Sequence, residues 1–129
     1  MGKVIERIKI TNLLNPKKSV EIDAVIDTGA TMLVLPLNTV KKLGLRKMRS
    51  VEVRYANNKT EVKPIYGVVT VEIKGRAGEF DVLAEAKDSQ ALIGQIVLEQ
   101  LDLVVDPKKK IVAPNPMSPN MPMVEILST

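Results

Sequence analysis

The chain has 129 residues and a net charge of +4; 45% of its residues are apolar, but only Tyr55, Tyr66 and Phe80 are aromatic. It contains no cysteine and no histidine, which excludes disulfides, Cys and His nucleophiles, Ser-His-Asp triads and zinc sites on their usual ligands. Acid–base chemistry near neutral pH is left to carboxylates, lysines, tyrosines or an oxygen-held metal. The length fits one domain, and its core must rest on Val, Ile, Leu and Met.

Basic residues form short runs at Lys17-Lys18, Lys41-Lys42, Arg46-Lys47 and Lys108 to Lys110. Such runs usually mark solvated faces. Without aromatic platforms between them, a nucleic-acid partner is not expected. Met1 to Leu13 alternates charged with aliphatic residues and lacks the apolar stretch of a signal peptide. No segment approaches the roughly 20 apolar residues of a membrane span, so a soluble, cytoplasmic protein without a membrane partner is the expectation.

In chain order, Val4 to Thr11 (VIERIKIT) alternates with period two and predicts a strand. Asn12 to Lys18 predicts a turn. Val20 to Ile26 (VEIDAVI) alternates, then ends in three apolar residues, so that strand should run into the core and deliver Asp27 at its end. Thr31 to Leu35 predicts a strand, and Pro36 opens a short helix over Leu37 to Leu43, stopped by Gly44. Val51 to Tyr55 and Glu61 to Ile65 flank Asn57-Asn58, a pair suited to a tight hairpin turn. Gly67 to Lys74 and Glu79 to Ala84 predict strands around a turn at Gly75 to Gly78. Ala91 to Gly94 (ALIG) predicts a short strand and Gln95 to Leu101 a helix. Leu103 to Val105 and Lys110 to Ala113 predict further strands. Asn115 to Pro122, with three prolines, reads as a linker, and Met123 to Leu127 (MVEIL) as a strand-like segment with no evident partner. The pattern predicts an all-β closed barrel with one or two short helices. The corresponding division is a domain over residues 1–114 followed by a Pro-rich linker and terminal strand over 115–129.

The informative segment is Val25-Ile26-Asp27-Thr28-Gly29-Ala30. Two aliphatics push an aspartate to the end of a core strand, a threonine offers its hydroxyl, and a glycine lets the backbone turn close to the carboxylate. An aspartate in such a setting is costly unless it is paired or hydrogen-bonded. The tripeptide Asp-Thr-Gly alone is common, and a buried aspartate capping a turn is its plain structural reading. Here an apolar strand follows it, and a second apolar-apolar-Gly element, Leu92-Ile93-Gly94, precedes a helix late in the chain.

In these features the sequence resembles the retropepsin-like aspartic proteases in their compact bacterial and archaeal form, over roughly Ile22 to Pro114. The resemblance implies a closed acid-protease barrel acting as a homodimer, with Asp27 catalytic and Thr28, Gly29 and Ala30 completing its loop. It implies that Leu92, Ile93 and Gly94 support that loop from behind. It also implies that the Val51 to Ile65 hairpin is a flap, with Tyr55, Ala56, Asn57, Asn58 and Lys59 closing over an extended peptide or protein substrate. No cofactor and no metal are implied. Thr28 of each chain should hydrogen-bond across the dimer axis. The sequence departs from viral members of the family in carrying Thr31-Met32 where acidic residues often stand, Gln95 in place of a common Arg, and a flap tip poor in glycine.

One chain offers one such aspartate: Asp106 precedes Pro107-Lys108 instead of a glycine turn, and Asp23 lies upstream on the same strand. Two carboxylates sharing a proton split the work of hydrolysis, so a two-fold axis beside Asp27 is the simplest arrangement. Met1 to Ile10 and Met123 to Leu127 are candidates for an intersubunit sheet; alternatively the first pairs within its own barrel and the last is disordered. The hairpin could be an ordinary surface hairpin, and Tyr55 a flap residue or half-buried packing. Beside the endopeptidase reading stand a non-catalytic peptide-binding or dimerisation module on the same fold, and an unrelated β-barrel binding an anion or nucleic acid through its lysines.

Overall fold

Segments that alternate in polarity bury one face and leave the other in water, and this chain gathers nearly all of them into sheets. The structure is a computed structural model that describes residues 3–128. Met1, Gly2 and Thr129, which the expected domain, the N-terminal sheet candidate and the terminal region include, lie outside the described residues. The strands are β1 (Ile5–Asn12), β2 (Ser19–Ile26), β3 (Leu33–Pro36), β4 (Arg46–Arg54), β5 (Thr60–Ile73), β6 (Arg76–Glu85), β7 (Leu92–Ile93), β8 (Leu103–Asp106) and β9 (Ile111–Pro114). Two six-residue helices, α1 (Leu37–Lys42) and α2 (Gln95–Gln100), complete the elements.

Seven strands form one sheet in the order β1-β2-β7-β3-β6-β5-β4, and β1 also pairs with β5. That extra pairing closes a ring of strands, with β4 attached to β5 outside it. The ring's interior is aliphatic: Ile8, Ile10, Leu35, Val69, Val71, Val82 and Ile93 are almost completely buried. Each contributes about 1.5–3 kcal/mol by leaving water. β8 and β9 form a separate two-stranded sheet, whose inward Leu103 and Val112 belong to the same core.

Most expected elements form near their expected positions. Gly44 stops α1 as its residue type suggests, with φ +66 and its N–H donating to the Lys41 carbonyl at 2.9 Å. Lys41 and Lys42 in the last turn complement the helix dipole.

Several boundaries differ for tertiary reasons. Glu61 to Ile65 and Gly67 to Lys74 are one continuous strand, because Tyr66 has ladder partners on both sides, Lys47 and Val82. The same pairing draws the basic stretch from Arg46 into β4, well before the expected start at Val51. Thr31 and Met32 bend ahead of β3 instead of joining it, and the turn expected over Gly75 to Gly78 tightens to Lys74-Gly75. Met123 to Leu127 forms no strand: β8 takes β9 as its partner, and the segment finds no ladder within the described chain.

The Pro-rich stretch before it is tied down. Arg76, 6% exposed, donates to the carbonyls of Leu101 (3.1 Å), Asp102 (2.9 Å) and Ser118. The Asp102 carboxylate accepts from the Ser118 hydroxyl, from Asn115 Nδ2 at 3.1 Å and from the Met123 N–H at 3.0 Å. These bonds, that of Ser118 first, hold the Asp102 carboxyl below the usual aspartate value. Among the described residues no buried side-chain polar atom lacks a partner.

Candidate active site

β2 carries Ala24, Val25 and Ile26 into the interior, each less than 10% exposed, and releases the chain at Asp27 on the rim. The turn that follows is fixed from within. The Gly29 N–H donates to Asp27 Oδ1 at 2.9 Å, and the Ala30 N–H to the Asp27 carbonyl at 3.1 Å. The carboxylate is thus oriented by a backbone donor two residues on, leaving one oxygen outside that turn. Among the described residues no lysine or arginine forms an ion pair with Asp27.

The later apolar-apolar-Gly element lies directly behind this loop. β7 runs parallel to β2, with Val25 opposite Leu92 and Ile26 opposite Ile93, and meets β3 through Leu92 and Val34. It therefore separates the strand entering the Asp27 loop from the strand leaving it. Backbone bonds seal the three together: Asp27 N–H to the Ile93 carbonyl (2.9 Å), Gln95 N–H to Ala30 (2.8 Å) and Ile96 N–H to Thr31 (2.9 Å). Gly94 must be glycine here, since a Cβ would stand 2.5 Å from the Met32 carbonyl oxygen and 2.6 Å from that of Ala30. Asp27, Thr28, Gly29, Ala30, Leu92, Ile93 and Gly94 thus form one contiguous unit.

Tyr55, Ala56, Asn57, Asn58 and Lys59 form the tip of the β4–β5 hairpin. The Asn58 N–H donates to the Tyr55 carbonyl and the Tyr55 N–H to the Lys59 carbonyl, both at 2.9 Å. Asn58 takes φ 65, the positive value expected of this pair, and Asn57 Oδ1 accepts from the Lys59 N–H at 3.0 Å. Between hairpin and Asp27 loop lies a second apolar cluster, separate from the ring's interior. Val34, Ile65 and Leu83 form its floor, with Met32, Val51, Val53 and Leu92 packed on them. Val51 and Val53 come from the hairpin; Met32 and Leu92 belong to the segments flanking the loop. A strip of aliphatic side chains therefore joins the two expected halves of the site.

Two polar groupings next to this cluster were not foreseen from the sequence. Arg49 pairs with Asp81 at 3.1 Å. The Tyr55 hydroxyl donates to Glu85 Oε2 at 2.5 Å, and the Lys63 ammonium meets Glu85 Oε1 at 3.0 Å. Burial pushes the Tyr55 phenol up, reinforced by the Glu85 carboxylate. Burial alone would raise Glu85 as well, but the bonds from Tyr55 and Lys63 outweigh it and hold the carboxyl below the ordinary glutamate value. The bond to Glu85 raises Lys63 against the effect of burial. Tyr55 and Glu85 are 30 residues apart, and no local pattern signals their meeting.

Among the described residues no cluster of three or more acidic side chains suits a metal ion, and no helix is long and apolar enough to cross a membrane. A mostly-β ring whose core strand ends in a backbone-oriented aspartate, backed by a glycine-terminated strand, fits the aspartic protease class. The family model described as gag-polyprotein putative aspartyl protease matches residues 17–100. The chain belongs to that family, which is retropepsin-like. No curated protein matches the chain.

Proposed function

We propose that the protein is an aspartic endopeptidase in which Asp27 and its copy in a second subunit form the catalytic carboxylate pair. The observation that carries the reading is Asp27 itself, held at a strand end by the Gly29 N–H with no cationic partner among the described residues. Two such groups a hydrogen bond apart cannot both ionise cheaply, so they share one proton; aspartic proteases are the standard instance of this logic. The ionised member takes a proton from water as that water attacks the peptide carbonyl. The protonated member hydrogen-bonds the carbonyl oxygen, and a proton then passes to the leaving amine. No acyl intermediate is needed, in keeping with a chain that has neither cysteine nor histidine.

The substrate is an extended peptide lying between the hairpin and the Asp27 loop, with aliphatic side chains on the floor of Val34, Ile65 and Leu83. Association through Thr28 completes the site. Beside Thr28 runs an open groove of about 1010 Å³, lined by Ile96, Leu103, Val104, Met123 and Val124 among others. Its apolar character and the exposed Val124, Ile126 and Leu127 support an association face there.

The test is cleavage of aliphatic-rich unfolded or peptide substrates by wild type and by Asp27→Asn. The substitution keeps shape and removes the ionisable group, so cleavage should vanish while the dimer persists. Residual wild-type rates in that variant would end the assignment. The alternative, a peptide-binding module of the same fold, draws on the glycine-poor hairpin tip; tight peptide binding by wild type without cleavage from about pH 3 to about pH 8, a window that contains the ordinary carboxylate values, would favour it.

A further inference from the structure

The hairpin is poorly supported by its backbone. The β5 ladder to β6 ends at Ile65 opposite Leu83, so Thr60 to Pro64 pair only with β4. Those five residues extend roughly 17 Å as a two-stranded ribbon at about 3.3 Å per residue. A two-stranded ribbon alone is marginal in water. What fastens this one to the ring is side-chain contact: Val51 and Val53 on the apolar floor, and the bonds from Tyr55 and Lys63 to Glu85. Glu85 is the last residue of β6, on the body of the ring, whereas Tyr55 stands at the hairpin tip. Both Glu85 oxygens are engaged from the hairpin, one by each partner.

We propose that Tyr55 and Glu85 are positioning residues that latch the β4–β5 hairpin shut over the apolar floor, and that this contact governs admission of an extended peptide. Lys63 holds the second oxygen of Glu85 and sits 4.0 Å from Glu61, so the latch comprises one phenol, one ammonium and two carboxylates. A hydrogen bond to a charged acceptor that is only partly exposed to water is strong enough to set an open–closed ratio. The side chains of Lys63 and Glu85 are each 20% exposed. The latch stands between two parts of one chain, so it closes each hairpin without help from a second copy. Its kinetic consequence rests on the hydrolytic reading; its effect on hairpin opening does not.

Tyr55→Phe removes the hydroxyl and keeps the ring, and Glu85→Gln keeps the shape and removes the charge. Hydrogen exchange at the Asn58 and Lys59 amides should accelerate by about tenfold in Tyr55→Phe, and by at least as much in Glu85→Gln, which weakens the bonds to both Tyr55 and Lys63, while exchange at the Val71 and Val82 amides in the ring stays at the wild-type rate. With a cleaved peptide, the larger part of the loss in kcat/KM should fall on KM, and the double variant should lose less than the two single losses combined. Exchange at the hairpin tip that is unchanged in both variants overturns the latch. Faster exchange with an unaltered KM overturns its control of peptide admission. If wild type cleaves nothing, the hydrolytic reading fails separately, and the exchange rates alone decide whether the latch exists.

Discussion

Gly94 shows how little freedom one position can have. The backbone carbonyls of Met32 and Ala30 occupy the space a Cβ would take, and neither can swing aside as a flexible side chain would. Gly94→Ala should therefore displace the loop that carries Asp27. A shift of that loop by even about 1 Å costs on the order of a hundredfold in rate. The expected result is near-complete loss of cleavage with a lowered unfolding temperature. Gly75 is the control: it takes φ +79 but has open space around it. Gly75→Ala should cost about 1 kcal/mol through backbone strain and leave kcat/KM unchanged. Equal losses at both positions would show that packing behind the loop is not what matters. At this scale the site was legible where its causes are local. Asp27, Gly29 and Gly94 stand in contiguous apolar-then-glycine patterns. Glu85 and Asp102 were illegible, since a carboxylate beside a strand reads as solvated until its partner, 30 residues away for Glu85 and 16 for Ser118, folds against it.

Elements held by carboxylates should respond to acid in a defined direction. Glu85 and Asp102 both sit below their ordinary values, 4.5 and 3.8, in the folded protein. The unfolded chain then binds protons first as pH falls, so their contribution is fully present above those values and is lost as pH drops through the folded ones. The hairpin and the C-terminal segment should therefore loosen together below about pH 4. Exchange at the Lys59 and Met123 amides as a function of pH measures this. Asp102→Asn should flatten the acid limb at Met123 and leave that at Lys59 intact; a parallel change at both would mean a global transition instead. Element types were largely readable from period-two alternation. The fusion of two expected strands into β5, and the recruitment of Arg46 to Ser50 into β4, were not, because cross-strand partners decide them.

For the whole molecule the reading depends on a second copy, and subunit mixing tests it. If each active site uses Asp27 from both chains, mixing wild type with excess Asp27→Asn should lower the activity per wild-type chain in proportion to the fraction of wild-type chains, and the total activity as its square, since mixed dimers are inactive. Activity per wild-type chain that ignores the variant would point to a self-sufficient subunit. Dilution should lower specific activity in the same way, as dimers dissociate. The terminal segment belongs to this scale. Met121, Val124, Ile126 and Leu127 are each at least 70% exposed, an apolar run that water does not favour. Its tie to Asp102 through the Met123 N–H keeps it beside α2 and β8.

The amino-acid order alone determined the mostly-β class, the Asp-Thr-Gly motif at the end of a buried strand, the Gly44 helix stop and the Asn57-Asn58 turn. Each depends on periodicity or on the conformational range of a single residue, which neighbours in sequence suffice to express. Only the tertiary structure decided that β1 returns to β5 to close the ring, that β7 pairs with both β2 and β3, and that Glu85 receives Tyr55 and Lys63. Those contacts join residues far apart in the chain, and their free energy exists only once the strands between them have paired.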